Sequence, residues 1–267
     1  LEAPRLAAFA LTEPGAGSDV GAIACRATLR SGVYRLEGTK CYVTGGAYAD
    51  HFTVFARTDP DKGARGLSAF LVARDTPGLR IGASLDKVGH RASNQVVLHF
   101  EGVEVPAEDR LGPEGMGFAL AMKTLDQTRA VVAAGGVGLA RAAYELALEH
   151  AKTRVQFGQP IIANQAVSFL LADLATKIEA ARLLTWMAAW MTDQGQRNSK
   201  HSAMAKTYAT DTAMEAATAA VQVLGGQGYS RESLAEKFFR DAKLMQIYEG
   251  TNQIQRLVIA KEIQQGR

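Results

Sequence analysis

Gly112-Pro113-Glu114-Gly115 divides the chain into two stretches of different periodicity, and its reading decides the fold. Before it, short strand-like segments alternate with glycine, proline and aspartate punctuation. In His51–Arg57 the residues Phe52, Val54 and Ala56 share one face while Thr53, Phe55 and Arg57 share the other, the period-two alternation of a strand. Asp59-Pro60-Asp61 ends that segment. Leu67–Val72 runs apolar until Asp75-Thr76-Pro77-Gly78, and Gln95–Phe100 and Val103–Val105 flank Glu101-Gly102 as separate strands. After the divide, alanine-rich stretches carry leucine and valine at helical spacing and proline nearly vanishes. Helices are predicted over Gly117–Thr153, Asn164–Gly195, Asn198–Leu224 and Asn252–Gln264, and in the second of these Val167, Leu171, Leu174, Ile178 and Ala181 form one apolar stripe. The expectation is an α+β protein: an antiparallel β barrel or sandwich over residues 1–113, then a C-terminal four-helix bundle over residues 114–267.

Composition narrows the functional classes. With 267 residues and 47% hydrophobic content the chain can bury substantial cores. Its 30 basic and 27 acidic residues are dispersed, so there is no basic block for nucleic acid. Cys25 and Cys41, both in strand-like sequence, form no paired motif, which speaks against a disulfide scaffold or a zinc site. Charges interrupt the apolar runs before about 18 residues, and no leader opens the chain, so neither a membrane span nor a signal peptide is expected. The start at Leu1, with no methionine, suggests a fragment or a processed product, and the cysteine usage suggests a reducing, intracellular compartment.

Four places carry candidate chemistry, each with a plainer alternative. Thr12-Glu13-Pro14-Gly15-Ala16-Gly17-Ser18-Asp19 could bring backbone amides to an anionic or polar ring system, or could simply end a first strand over Leu6–Leu11. It lacks the spacing and following helix of a dinucleotide fingerprint. Leu224-Gly225-Gly226-Gln227-Gly228-Tyr229 suits a helix cap or bare backbone beside a cofactor. Glu249, in Ile247-Tyr248-Glu249-Gly250-Thr251-Asn252, could face solvent at the start of the last helix, which Thr251 or Asn252 can cap. Surrounded by apolar groups it would instead become a competent base. Asp126 and Arg129 form a surface pair or point together into a cleft, and Arg154 caps helix carbonyls or meets a phosphate.

Taken in order, Thr12–Asp19, Arg154 with Phe157-Gly158, Gln222–Gly228, Arg240-Asp241-Ala242-Lys243 and Ile247–Thr251 resemble the acyl-CoA dehydrogenase family, most closely its medium- and short-chain members. The family fold has an N-terminal helical domain, a middle β domain and a C-terminal helical domain, so the resemblance implies the latter two, without the first. It implies FAD between β domain and helices, with Phe9, Leu11, Thr12, Gly17 and Ser18 lining the flavin side and Tyr42 and Thr44 covering the ring, Thr44 toward flavin N5. Tyr42 stands where relatives often have tryptophan. The adenine and pyrophosphate end would be completed by a neighbouring subunit through Arg154, Gln156, Asn164, Gln165, Gln222, Gly225 and Gly226, while Gly250, Thr251, Asn252 and Gln253 would touch FAD beside the base. Ser18, Ser93, Asp126, Arg129, Arg197 and Glu249 would bind the acyl-CoA.

The implied reaction is α,β-desaturation of a fatty acyl-CoA to trans-2-enoyl-CoA in fatty acid β-oxidation. Glu249 takes the α-proton, flavin N5 takes the β-hydride, and an electron-transfer flavoprotein takes the electrons. Some relatives carry the base at the position of Thr128, which cannot serve as one. The resemblance further implies a homo-oligomer, a dimer of dimers, in a mitochondrial matrix or bacterial cytoplasm. Two other readings stand beside this one: a noncatalytic FAD-binding or oligomerising fragment, and a structural helical partner whose glycines and glutamate only cap helices.

Overall fold

The alternation read in His51–Arg57 becomes a strand of those bounds in the computed structural model, which describes residues 5–266. The Leu1 start lies outside the described residues. Within them the chain forms two compact units: residues up to Lys87 with Arg91–Thr124, and Val88–His90 with Leu125 onward.

The first unit is built on β1 (Ala7–Ala10), β2 (Arg26–Arg30), β3 (Val33–Thr44), β4 (His51–Arg57), β5 (Leu67–Ala73), β6 (Leu79–Ile81), β7 (Gln95–Pro106) and β8 (Arg110–Leu111). They form a sheet in the order β6-β7-β3-β2-β4-β5-β8, with β1 added on β4. Most pairings are antiparallel, as expected. β1 departs from that by running parallel to β4, with Ala7 opposite His51 and Ala10 opposite Val54. Phe52, Val54 and Ala56 are fully buried. On the other face Phe55 is buried too, because the Phe9 ring of β1 lies against it at 4.9 Å between centroids. β4 is therefore covered on both sides, where alternation alone implied one wet face.

Gln95–Phe100 and Val103–Val105 prove to be one strand, a correction to the reading of two. Glu101-Gly102 makes a β-bulge instead of a turn: Leu36 pairs with Val103 but Glu37 with Glu101, leaving Gly102 as the extra residue at φ 72°. A second bulge falls in β3 between Lys40 and Val43 and turns Tyr42 outward at φ 55°. Cys41 lies in β3 as read, whereas Cys25 sits just before β2, and both are buried free thiols.

The second unit contains the four predicted helices, α1 (Gly117–Thr153, whose first two turns belong to the first unit), α2 (Gln165–Asp193), α3 (Ser199–Leu224) and α5 (Asn252–Gln264). A further helix, α4 (Leu234–Met245), was not anticipated. Its charged outer face hides an apolar one, on which Ala235, Ala242 and Met245 are buried. Leu171, Leu174, Ile178 and Ala181 of α2 pack inward as their spacing implied. Ala140, Ala143 and Ala147 of α1 and Ala213, Ala216, Ala217 and Ala220 of α3 share the same core. Such short side chains let helix backbones approach closely, and dispersion over many contacts replaces bulk. α1 is the one described helix long and apolar enough, by length and composition, to cross a membrane, and its alanines are used in this packing. Gly225 ends α3 at φ 60°, the capping role considered for it.

Candidate active site

In the helical unit the site is assembled around the segment joining α4 to α5. Thr251 caps α5, its hydroxyl accepting from the Ile254 amide at 3.2 Å, so Asn252 is released for another task. Asn252 is buried and binds Thr210 and Asp211 of α3, donating to the Asp211 carboxylate at 2.7 Å. Just before the cap, Glu249 and Gly250 both take positive φ, 57° and 85°. For a glutamate this conformation is strained by about 1–3 kcal/mol and persists only where neighbours over-determine it. The half-buried Glu249 carboxylate accepts a hydrogen bond from the Thr128 hydroxyl of α1 at 2.8 Å. Thr128, unable to act as a base itself, faces the carboxylate read from the sequence as the candidate base.

The surroundings of Glu249 are less apolar than the sequence reading envisaged. Lys206 of α3 is fully buried, donating to the Gly250 carbonyl at 2.9 Å and to Asn252 Oδ1 at 2.8 Å. Burial, the largest influence, lowers its pKa to about 8, with Asp211 and Glu249 opposing and Arg129 reinforcing the shift. Burial also pushes the neighbouring Tyr248 phenol up, and the charge of Glu249 adds to this.

Asp126 and Arg129 do form their pair, and Arg129 is only 3% exposed, which excludes the surface reading. Asp126 additionally accepts from Ser199 at 2.5 Å. Arg129 Nε is buried with no hydrogen-bond partner among the described residues, an unspent donor of the kind a ligand satisfies. Arg197 lies near this group and is gripped by the buried Glu262 carboxylate through bonds of 2.6 and 3.2 Å. A polar cavity of about 460 Å³, lined by Lys243, Gln246, Thr251, Asn252, Gln253 and Arg256 among others, opens at the start of α5.

Other predicted residues of this unit lie apart. Arg154 follows α1, and its backbone amide closes on His150 while its guanidinium makes no hydrogen bond or ion pair among the described residues. Gln156 belongs to a short exposed hairpin of β9 (Val155–Gln156) and β10 (Gln159–Pro160), and Asn164 and Gln165 begin α2. From Thr128 to Thr153 the helix rises roughly 38 Å at 1.5 Å per residue, so these residues cannot reach the Glu249 segment of their own chain. Gln222, Gly225 and Gly226 are exposed at the far end of α3.

In the β unit the Thr12–Asp19 loop is a tight turn, with Glu13 and Ala16 exchanging backbone hydrogen bonds of 3.0 and 3.1 Å. A buried ion pair unseen in the sequence holds it. Lys40, wholly inaccessible, donates to Glu13 Oε1 at 2.7 Å and to the Leu11 carbonyl at 3.0 Å. Glu13 also accepts from the amides of Ala24 and Cys25 at 2.7 and 3.0 Å. Burial pulls the Lys40 pKa down and raises the adjacent Cys25 thiol to about 11. Leu11 is buried and Phe9 half-buried, whereas Gly17, Ser18, Tyr42 and Thr44 are exposed. The Cys41 amide bonds the Thr12 carbonyl at 2.9 Å, and Gln95 donates to the Thr44 hydroxyl at 3.1 Å. The Ser93 carbonyl accepts from Lys87. A larger cavity of about 550 Å³ on this unit, beside Gly78 and Glu104, contains none of the predicted residues.

Lys40 and Lys206 were both missed, though each had a signal. Lys40 has the parity of the inward Tyr34 and Leu36 of β3, and Lys206 stands at helical spacing from Ala203, Ala209 and Ala213, all buried. A lysine on an apolar face signals a partnered buried charge.

Residues 115–264 match the profile described as "Acyl-CoA dehydrogenase, C-terminal domain", and residues 8–103 match "Acyl-CoA dehydrogenase, middle domain". Cyclohexane-1-carbonyl-CoA dehydrogenase of Geobacter metallireducens is 48% identical over 98% of this chain and 69% of its own length. An acyl-CoA dehydrogenase of Bacillus subtilis is 49% identical over 96% of the chain and 68% of its length. The structure of butyryl-CoA dehydrogenase from Megasphaera elsdenii superposes with a TM-score of 0.95 at 45% identity, covering 97% of this chain and 68% of that one.

Proposed function

The chain belongs to the acyl-CoA dehydrogenase family of oxidoreductases, and from this we propose that it desaturates a fatty acyl-CoA between Cα and Cβ, with Glu249 as the base. The observation that carries the reading is Glu249 itself: half-buried, held at positive φ, and met by the Thr128 hydroxyl at 2.8 Å. A carboxylate held this firmly can take the α-proton of a thioester without reorganising.

The residues present fit FAD, which when bound supplies the hydride acceptor. Lys243 and Arg256 line the cavity at the start of α5, where helix-start amides favour an anion. In the β unit, Phe9, Leu11, Thr12, Gly17, Ser18, Tyr42 and Thr44 would hold the flavin. Arg129 and Asp126, with Ser93, Ser18 and Arg197, would bind the acyl-CoA, the unspent Arg129 Nε offering a donor. Arg154, Gln156, Asn164, Gln165, Gln222, Gly225 and Gly226 would meet the FAD of a second copy. We assign the flavin-holding role to the β domain over residues 1–113 and the base and oligomer contacts to the helices over residues 114–267. An electron-transfer flavoprotein would reoxidise the enzyme, in a bacterial cytoplasm or mitochondrial matrix. One structural neighbour, 46% identical over 97% of this chain and 68% of its own with a TM-score of 0.95, comes from a study of an electron-transferring flavoprotein of Acidaminococcus fermentans.

The test is the visible spectrum of the purified protein, followed anaerobically with a panel of acyl-CoAs. Glu249→Gln should keep the flavin and lose at least about 99% of the bleaching rate, as expected when a general base is removed. Substantial turnover in that variant would reject the assignment.

A further inference from the structure

Resting on that reading, we infer that Lys206 is a positioning residue for the base: with Gln255 it clamps the peptides of Glu249 and Gly250 in the left-handed conformation that aims the Glu249 carboxylate. Three observations carry this. First, Lys206 is fully buried, yet makes no ion pair with a carboxylate among the described residues. Its bonds go to the Gly250 carbonyl at 2.9 Å and to the Asn252 side chain at 2.8 Å, both in the segment that follows the base. A buried ammonium is retained only where its donors are used, and here one short stretch of chain uses them.

Second, Gln255 reaches back from α5 to the same place. Its Nε2 donates to the Glu249 carbonyl at 3.2 Å and to the Gly250 carbonyl at 3.0 Å. Its Oε1 is left buried without a partner among the described residues, so the amide is oriented for these two carbonyls at the expense of its own oxygen. Third, the segment so held is the strained one. Glu249 at φ 57° is a non-glycine residue in a region L side chains rarely adopt, and a Cβ on Gly250 would lie 2.6 Å from Gln255 Nε2. Two consecutive left-handed residues are held by two donors on one carbonyl. Lys206 touches no reacting atom; it acts through the backbone.

Lys206→Met, which keeps length and removes charge and donors, tests this in the full-length chain as purified. Amide hydrogen exchange over Glu249–Asn252 should quicken at least about tenfold relative to the rest of α3 and α5. In the flavin-loaded protein kcat should fall about tenfold or more with KM for acyl-CoA within about twofold. The isotope effect from α-deuterated substrate should rise as proton removal becomes limiting. Lys206→Arg, restoring a charged donor, should recover part of each change. Unaltered exchange at Glu249–Asn252 in Lys206→Met would overturn the inference, whatever the activity. If the wild type fails to bleach, the proposed function falls while exchange still decides the clamp. Should Lys206→Met not fold, Gln255→Met removes the other arm and is read by the same exchange, with the same outcome overturning the inference.

Discussion

Thr128 holds the Glu249 carboxylate and Lys206 the peptide that follows it. The Thr128 hydroxyl donates to that carboxylate, and Thr128→Val removes the bond without changing shape. A hydrogen bond to a charged group contributes about 1.5–3 kcal/mol. Thr128→Val should therefore destabilise the protein by about that much, measured by denaturant unfolding. Lys206 gives a pH signature. Its folded pKa is lowered to about 8 from an ordinary 10.5, so between those values the unfolded chain holds a proton that the folded chain has lost. Stability from this group therefore rises with pH across that window, by at most about 1.4 kcal/mol per unit, and is absent below it. Denaturant unfolding at pH 7 to 10.5 should show this slope in the wild type and not in Lys206→Met.

At the scale of elements, the β unit depends on the buried pair of Lys40 on β3 and Glu13 in the turn after β1. Neutralising one side leaves the other charge buried and uncompensated, which typically destabilises by about 3–5 kcal/mol. Lys40→Met should lower the denaturation midpoint of the protein on that scale and loosen the Thr12–Asp19 turn, whereas Lys40→Met with Glu13→Leu should recover much of the loss. Equal destabilisation in the single and double variants would show the pair to be of no consequence. Element types were legible where periodicity was strong: β4, β5 and the three longest helices lie within a few residues of their predicted bounds. α4 was not, because its stripe is short and interleaved with Glu236, Lys237, Arg240 and Asp241. The two-strand reading of β7 failed because Glu101-Gly102 carries turn chemistry, which a partner strand can equally use as a bulge.

For the whole molecule, α1 sets the main constraint. With Thr128 about a third of the way along it and Arg154 just past its far end, roughly 38 Å of helix separates residues proposed to serve one cofactor. If a second copy supplies Arg154, then Glu249→Gln and Arg154→Ala should complement each other. Each homo-oligomer is inactive, but co-expression places one intact site in every mixed dimer and restores about a quarter of wild-type activity with random pairing. No recovery in mixed oligomers would mean that each chain builds its site alone. The sequence by itself determined the change from strands to helices at Gly112–Gly115, the family, and Glu249 as the candidate base, because these rest on local periodicity and on short motifs that survive unfolded on the page, whereas the division between the compact units falls later, at Thr124 and Leu125. Only tertiary structure decided that Thr128 meets Glu249 across 121 positions of chain, that Arg129 is buried, and that Lys40 and Lys206 spend their charges inside. Such pairings depend on which faces of distant elements come together, and a lysine's spelling is the same whether its ammonium ends in water or against a carbonyl.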